Sequence, residues 1–301
     1  MVELVRSRPA MALATLAAVL FALGTALRGL GAAVLHGLGD VTTVGNLAMA
    51  GDWLRFAAGL VVLGATGYVT WRLFFSRQWS ALWEVAGTAL ASLVCAIGLL
   101  ILATKANVSE AGFVVFAIGI GGWGVLIAVS AARRASVEQD SPGGPRQAGL
   151  RLWGAAAVLL LAIATGLPND HATLATVGEA IQVPGYAGLA LVLSIARARQ
   201  LIATRHFAAL VAGLWALMLS PVAQAISSGV VYAPPLYSPV TPVSWRVGVS
   251  IPYFIEALAV FALAWAALGR LGELPASTTV GSKAYPWSSR VRPSSQVPSP
   301  T

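Results

Sequence analysis

Charge is what this 301-residue sequence has least of. Asp, Glu, Lys and Arg make up 10% of it, against about 25% in soluble domains, whose water-facing surface needs them. With 57% hydrophobic residues and a mean hydropathy of +0.79, most side chains must face lipid or other helices, which excludes a soluble fold. Cysteine is nearly absent: Cys95 stands alone in an apolar run, excluding a disulfide framework or a thiolate metal site within one chain. The three histidines, His36, His171 and His206, do not form the facing intrahelical pairs that a di-haem bundle needs. No cofactor is expected. Proline is missing between Ala10 and Ser141, so the first half is expected to be uninterrupted helix. Lysine is rare too, 2 against 17 Arg, and with heavy Ala and Gly usage this suggests a GC-rich bacterial genome.

What the sequence does have is long apolar runs. A bilayer core of ~30 Å takes about 20 residues of helix at 1.5 Å each. Eight stretches qualify, at 10–34, 53–75, 80–103, 111–132, 151–168, 174–196, 207–228 and 248–269. The expected fold class is an all-α integral membrane protein with eight transmembrane helices. Fifteen of the 19 basic residues then fall on the side of the N-terminus, while Lys105 and Arg246 alone lie in opposite loops with Asp40, Asp52, Glu110 and Asp170. The positive-inside rule therefore puts both termini in the cytoplasm. The net charge of +8 reflects this loop bias rather than nucleic acid, so the bilayer is the first partner. Arg6, Arg8 and the run that follows also fit a signal peptide, but the run is too long and lacks a clear cleavage site. The expected location is the bacterial cytoplasmic (inner) membrane. Trp71, Phe74, Phe75, Trp79 and Trp83 gather at the inner end of the second hairpin, the headgroup level that aromatic residues favour.

The polar stretch 133–149 reads as a cytoplasmic linker between two parallel four-helix halves, 1–132 and 150–270. Arg77-Gln78-Trp79-Ser80-Ala81-Leu82 matches Arg205-His206-Phe207-Ala208-Ala209-Leu210, and Thr43-Val44-Gly45 matches Thr176-Val177-Gly178, at offsets of 128 and 133 residues. An even number of spans per half relates the halves by an axis along the membrane normal. The tail 271–301 holds five Pro and seven Ser from residue 275 on and is expected to be disordered.

Gly119-Ile120-Gly121-Gly122-Trp123-Gly124 fits G-x-G-x-x-G, but it lies mid-span without the strand that a dinucleotide site requires. Its glycines are expected to let helices approach. His36 and His171 with Asp40, Asp170 and Glu179 offer imidazole and carboxylate at the outer face, yet loop histidines are ordinarily solvated, and no metal is expected. Arg28 and Arg55 lie near outer helix ends, where each is expected to snorkel to headgroups, with Asp52 one turn from Arg55. Glu84 is expected to reach Arg77 or the headgroups at the inner side.

Pro184, Pro221 and Pro252 each fall within about two turns of an outer helix end. Each removes a backbone donor at membrane depth. Polar residues sit beside them: Glu179 and Gln182, Ser220 and Gln224, Tyr253 and Glu256. Glu256 lies roughly 10 Å below the outer end of its span, where a carboxylate costs ~2.5–3.5 kcal/mol on insertion scales. Such a group faces a wet cavity or a partner, or stays protonated. The candidate ligand or ion site is therefore Glu179, Gln182, Gln224, Tyr253 and Glu256, lining an outward-facing cavity of spans six to eight. The competing reading is that these groups bond across helices as packing glue. The outer loop from Tyr232 to Trp245, with four prolines, is a stiff segment that serves as lid or spacer.

Val177-Gly178-Glu179 through Gly185-Tyr186-Ala187-Gly188-Leu189 to Arg197-Ala198-Arg199, and Gly51-Asp52-Trp53 through Trp71-Arg72, share an order: an acidic outer residue, Gly-aromatic, a Leu/Ala run and a basic inner end. This resembles the polytopic membrane sensor regions of bacterial diguanylate cyclase and phosphodiesterase proteins, over most of 40–270. Their GGDEF and EAL output domains are absent, so no catalytic residue carries over. The resemblance implies a sensing or ligand-binding module acting through a cytoplasmic signalling partner. The alternative is a secondary transporter of a small solute, with Glu256 as the proton or cation site. No Ser/His pair, di-acid motif or His cluster is placed for catalysis, so an enzyme is the least supported class.

Overall fold

The computed structural model describes residues 7–35, 41–104, 110–137, 144–167, 172–198, 207–231 and 243–273. Among them are eight helices and no strand: α1 (Arg8–Leu35), α2 (Val41–Phe75), α3 (Trp79–Thr104), α4 (Glu110–Val137), α5 (Gly144–Gly166), α6 (Ala172–Ala198), α7 (Phe207–Val231) and α8 (Val243–Glu273). All but α7 contain a stretch long and apolar enough to cross a bilayer; in α7 the described apolar stretch, Phe207–Ala223, is shorter. Large apolar side chains remain exposed on one face of a helix. Leu16, Leu23 and Leu30 on α1 recur every seven residues, and Leu93, Ile97 and Leu100 do the same work on α3. In water such stripes would drive aggregation, whereas against lipid chains they are the expected surface. The chain is a membrane protein.

Helix bounds differ from expectation in two places. The second helix begins at Val41 and its apolar stretch at Asn46, not at 53. Asp52 and Arg55 therefore lie inside the span, Arg55 about 13 Å from that start by helical rise. Helix also occupies 133–137 and 144–149 of the stretch read as a linker, where Pro145 is tolerated in a first turn. The tail from 274 onward lies outside the described residues.

The α2–α3 connection shows how tightly the chain turns. Gln78 N–H donates to Leu73 C=O and Arg77 N–H to Phe74 C=O, both at 3.1 Å, the Schellman pattern that caps a helix C-terminus. Arg77 takes the left-handed conformation, φ 55°, a position that favours glycine. Gln78 C=O then accepts from the N–H groups of Ala81 and Leu82, so α3 starts at once.

Each helix packs against its neighbours in sequence, and α1 packs against α8, closing a ring of eight. Small residues make the contacts. A methyl group on Gly98 would lie 2.5 Å from the Phe116 backbone nitrogen, and one on Gly119 would overlap Cys95 Sγ. On the other side of α4, a methyl on Gly124 would meet Leu159 of α5 at 2.9 Å. The glycine run 119–124 thus seats α4 between α3 and α5, as the packing reading expected. Many hydroxyls bond their own helix: Thr66, Thr88, Ser92, Thr165 and Ser194 each donate to a carbonyl four residues back.

Candidate functional site

The first element is a crossing of α1 and α2. A methyl on Gly24 would lie 2.5 Å from Gly51 O and 2.9 Å from Arg55 Cγ. One on Gly51 would lie 2.5 Å from Gly24 O and 3.0 Å from Arg28 Cγ. The contact is reciprocal: each glycine lies under the arginine stem of the other helix. Gly24-Thr25-Ala26-Leu27-Arg28 and Gly51-Asp52-Trp53-Leu54-Arg55 are the same G-x-x-L-R pattern meeting antiparallel, since glycine and arginine four residues apart share a helix face.

Both guanidinium groups turn away from lipid. On α1, Phe21, Thr25 and Arg28 lie opposite the exposed leucines, between Gly24 against α2 and Gly29, whose missing methyl would touch Tyr253 Cβ of α8 at 3.0 Å. On α2, Arg55 lies between Gly51 against α1 and Gly59 against Leu99 of α3, opposite exposed Trp53 and Leu60. On α8, Glu256 lies between Tyr253 on the α1 side and Ala259, whose carbonyl faces Gly213 of α7, opposite exposed Leu258 and Trp265. Three helices thus point charge at the inside of the ring.

There the charges pair. Arg28 Nη1 donates to Asp52 Oδ1 at 2.7 Å, and Arg55 Nη2 donates to Glu256 Oε1 at 3.2 Å. The Arg28 guanidinium lies over the Tyr253 ring at 5.8 Å and that of Arg55 over Phe21 at 4.6 Å, within cation–π range. The Arg55 and Glu256 side chains keep 15% and 25% of their exposure, although both face inward. On α6, Glu179, Gln182 and Tyr186 share the face opposite exposed Val177, Pro184 and Leu191. Tyr186 packs against the cluster formed by Ala190, Leu214, Leu217 and Ala259, within Coulombic range of Glu256 and Arg55. Two hydrogen-bonding atoms here are buried without a partner among the described residues: Arg55 Nε and Thr25 Oγ1.

The candidate residues therefore separate. Tyr253 and Glu256 join a cluster with Arg28, Asp52 and Arg55. Glu179 is buried on the inner face of α6 with Gln182. Gln224 is on α7, its side chain outside the described residues, as are His36, Asp40, Asp170, His171 and the 232–242 loop. Ser220 Oγ donates to Pro252 C=O at 3.0 Å, a bond that ties α7 to α8 as glue.

Two expectations are corrected. Arg28 and Arg55 do not snorkel to headgroups; both lie on inward faces, where a carboxylate is the available counter-charge. Asp52 serves Arg28 across the crossing rather than Arg55 one turn away. Glu84 accepts from Ser130 Oγ of α4 at 2.9 Å, while Arg133 stacks on Trp83 at 4.1 Å. The involvement of α1 and α2 was missed because each arginine was judged on its own helix. The repeated G-x-x-L-R was the available signal. No family model, curated protein or solved structure matches the chain.

Proposed function

We propose that this chain is an eight-span protein of the bacterial cytoplasmic membrane, both termini cytoplasmic, that binds a small polar solute from outside and acts as a sensing module through a cytoplasmic partner. The observation that carries the reading is the inward-facing Arg55–Glu256 pair, part-exposed, as Arg28–Asp52 is, where a sealed ion pair would be dry. Intramembrane charges of this kind mark ligand or ion pathways. The pair joins α2 to α8, so a solute that engages either side chain changes how those helices are held. Both lead back to the cytoplasmic side, where an effect on a partner is read out.

A secondary transporter is the second reading. It is favoured by Pro184, Pro221 and Pro252 inside three adjacent helices and by an ion pair that spans the two halves.

The test of the site is access. In a Cys95→Ala background, Gln182→Cys should react in intact cells with a methanethiosulfonate carrying a trimethylammonium group. Leu258→Cys on the lipid face should not. A Gln182→Cys thiol that stays unlabelled in intact cells rejects the outward-facing site. Proton-driven uptake in proteoliposomes, abolished by Glu256→Gln, would replace the sensing reading with transport.

A further inference from the structure

The two ion pairs are each a single N–H···O contact between part-exposed side chains, and they differ in length. Arg28–Asp52 is short, 2.7 Å, the length of a strong charge-assisted bond. Arg55–Glu256 is a single contact at 3.2 Å, and the Arg55 Nε beside it is buried with no acceptor. A guanidinium presents two parallel N–H groups on that edge and binds a carboxylate best through both. Glu256 takes only one.

Thr25 adds an independent observation. It is 0% exposed, its hydroxyl has no partner among the described residues, and it shares the inward face of α1 with Phe21 and Arg28. Buried Thr66, Thr88 and Ser92 each bond a carbonyl of their own helix, and buried Ser220 bonds one of α8. A buried polar atom left without a partner is costly, and this one is one turn from Arg28 and from the Phe21 ring on which Arg55 rests.

Charge balance then selects the ligand. A bare anion that took Arg55 would leave the Glu256 carboxylate unpaired inside the ring, and a bare cation that took Glu256 would strand Arg55; both outcomes are expensive in a low-dielectric site. A solute with both charges on neighbouring atoms satisfies both groups. We propose that the Arg55–Glu256 pair is a binding site for a small zwitterion of the α-amino-acid kind. Its carboxylate bonds the Nε/Nη2 edge of Arg55 and the Thr25 hydroxyl, and its ammonium bonds Glu256. Arg28–Asp52 stays closed and holds the α1–α2 crossing while the ligand enters. The inference rests on the outward-facing site proposed above and names its ligand class.

The experiment is equilibrium binding to the full chain in lipid nanodiscs, using each standard amino acid, with acetate and ethylammonium as probes carrying one charge. The expected result is that at least one amino acid binds saturably and that neither single-charge probe competes with it at a hundredfold higher concentration. Thr25→Val, which removes the hydroxyl and keeps the volume, should raise Kd about tenfold, the loss of one hydrogen bond to a charged group. Arg55→Gln should abolish binding. Should that variant fail to fold, the Thr25→Val shift and the competition pattern decide. Competition by acetate alone identifies an anion site and overturns the proposal, as does unchanged affinity in Thr25→Val. If no amino acid binds although Gln182→Cys is labelled from outside, the zwitterion is rejected and the outward-facing site stands. If Gln182→Cys is also unlabelled, the site itself has failed.

Discussion

Helices α1 and α2 cross at Gly24 and Gly51, and α3 and α4 at Gly98 and Gly119, with backbones equally close. At both places an added methyl would lie 2.5 Å from a backbone atom. The surroundings differ. At α3–α4 the close approach buries Cys95, whose thiol donates weakly to Phe116 C=O at 3.7 Å, and farther along the same two helices Trp123 Nε1 donates to Thr88 C=O at 3.4 Å and Ser130 Oγ to Glu84 at 2.9 Å. At α1–α2 it brings two arginine stems across two glycines and aims their charges inward, where α8 supplies Tyr253 and Glu256. In lipid no hydrophobic force separates helices from solvent, so association relies on packing and polar bonds. The α3–α4 crossing adds to packing the bonds of a thiol, an indole and a hydroxyl. The charged crossing uses both, and in doing so keeps ionised groups at a depth where only function or pairing retains them.

Leucine at the glycines should break both crossings. Gly24→Leu and Gly98→Leu place side chains against backbone that cannot yield, and each should cost ~3 kcal/mol or more. Loss of monodisperse protein on size exclusion in detergent checks this; a Gly98→Leu protein with native melting behaviour would refute the close approach. A smaller effect separates the two sites. Arg55→Ala should cost ~2–4 kcal/mol, somewhat below the value for a sealed ion pair because both side chains keep partial exposure. The Arg55→Ala/Glu256→Ala double variant should recover at least half of that, since it leaves no orphaned carboxylate. Strict additivity in the thermal unfolding cycle would mean that the pair contributes nothing. The smallest effect sharpens the contrast. Gly64 on α2 has no atom within 4 Å of the place a methyl would occupy. Gly64→Ala should therefore be neutral or stabilise by up to ~1 kcal/mol through helix propensity, measured in the same assay. Marked destabilisation would show that this open face has a partner.

Most helices were legible in the sequence because their cause is local. An apolar run without charge has one way to satisfy its backbone in lipid, and α3, α4 and α5 lie close to where the runs put them. The start of α2 was not legible, since Asn46 and Asp52 resemble loop residues until a partner for Asp52 is known. The site shows the same limit. Glu256 stood out by depth and Tyr253 by proximity to it. Arg55 was judged alone, and its counter-charge is 201 residues away, a separation that no helical period encodes. The repeat of G-x-x-L-R was visible, but only the antiparallel crossing gives it meaning.

The closed ring also sets an order of events in time. Arg28 and Asp52 are 24 residues apart and can pair as soon as the first hairpin is made. Arg55 must wait for a residue 201 positions later, which at ~5–20 residues per second takes about 10–40 s of synthesis. During that interval the nascent ring is open at the edge where α8 will lie, and Asp52, one turn from Arg55, is the carboxylate at hand. Helix α8 is thus the one that relieves the second arginine, and the site is completed only once that helix has been made.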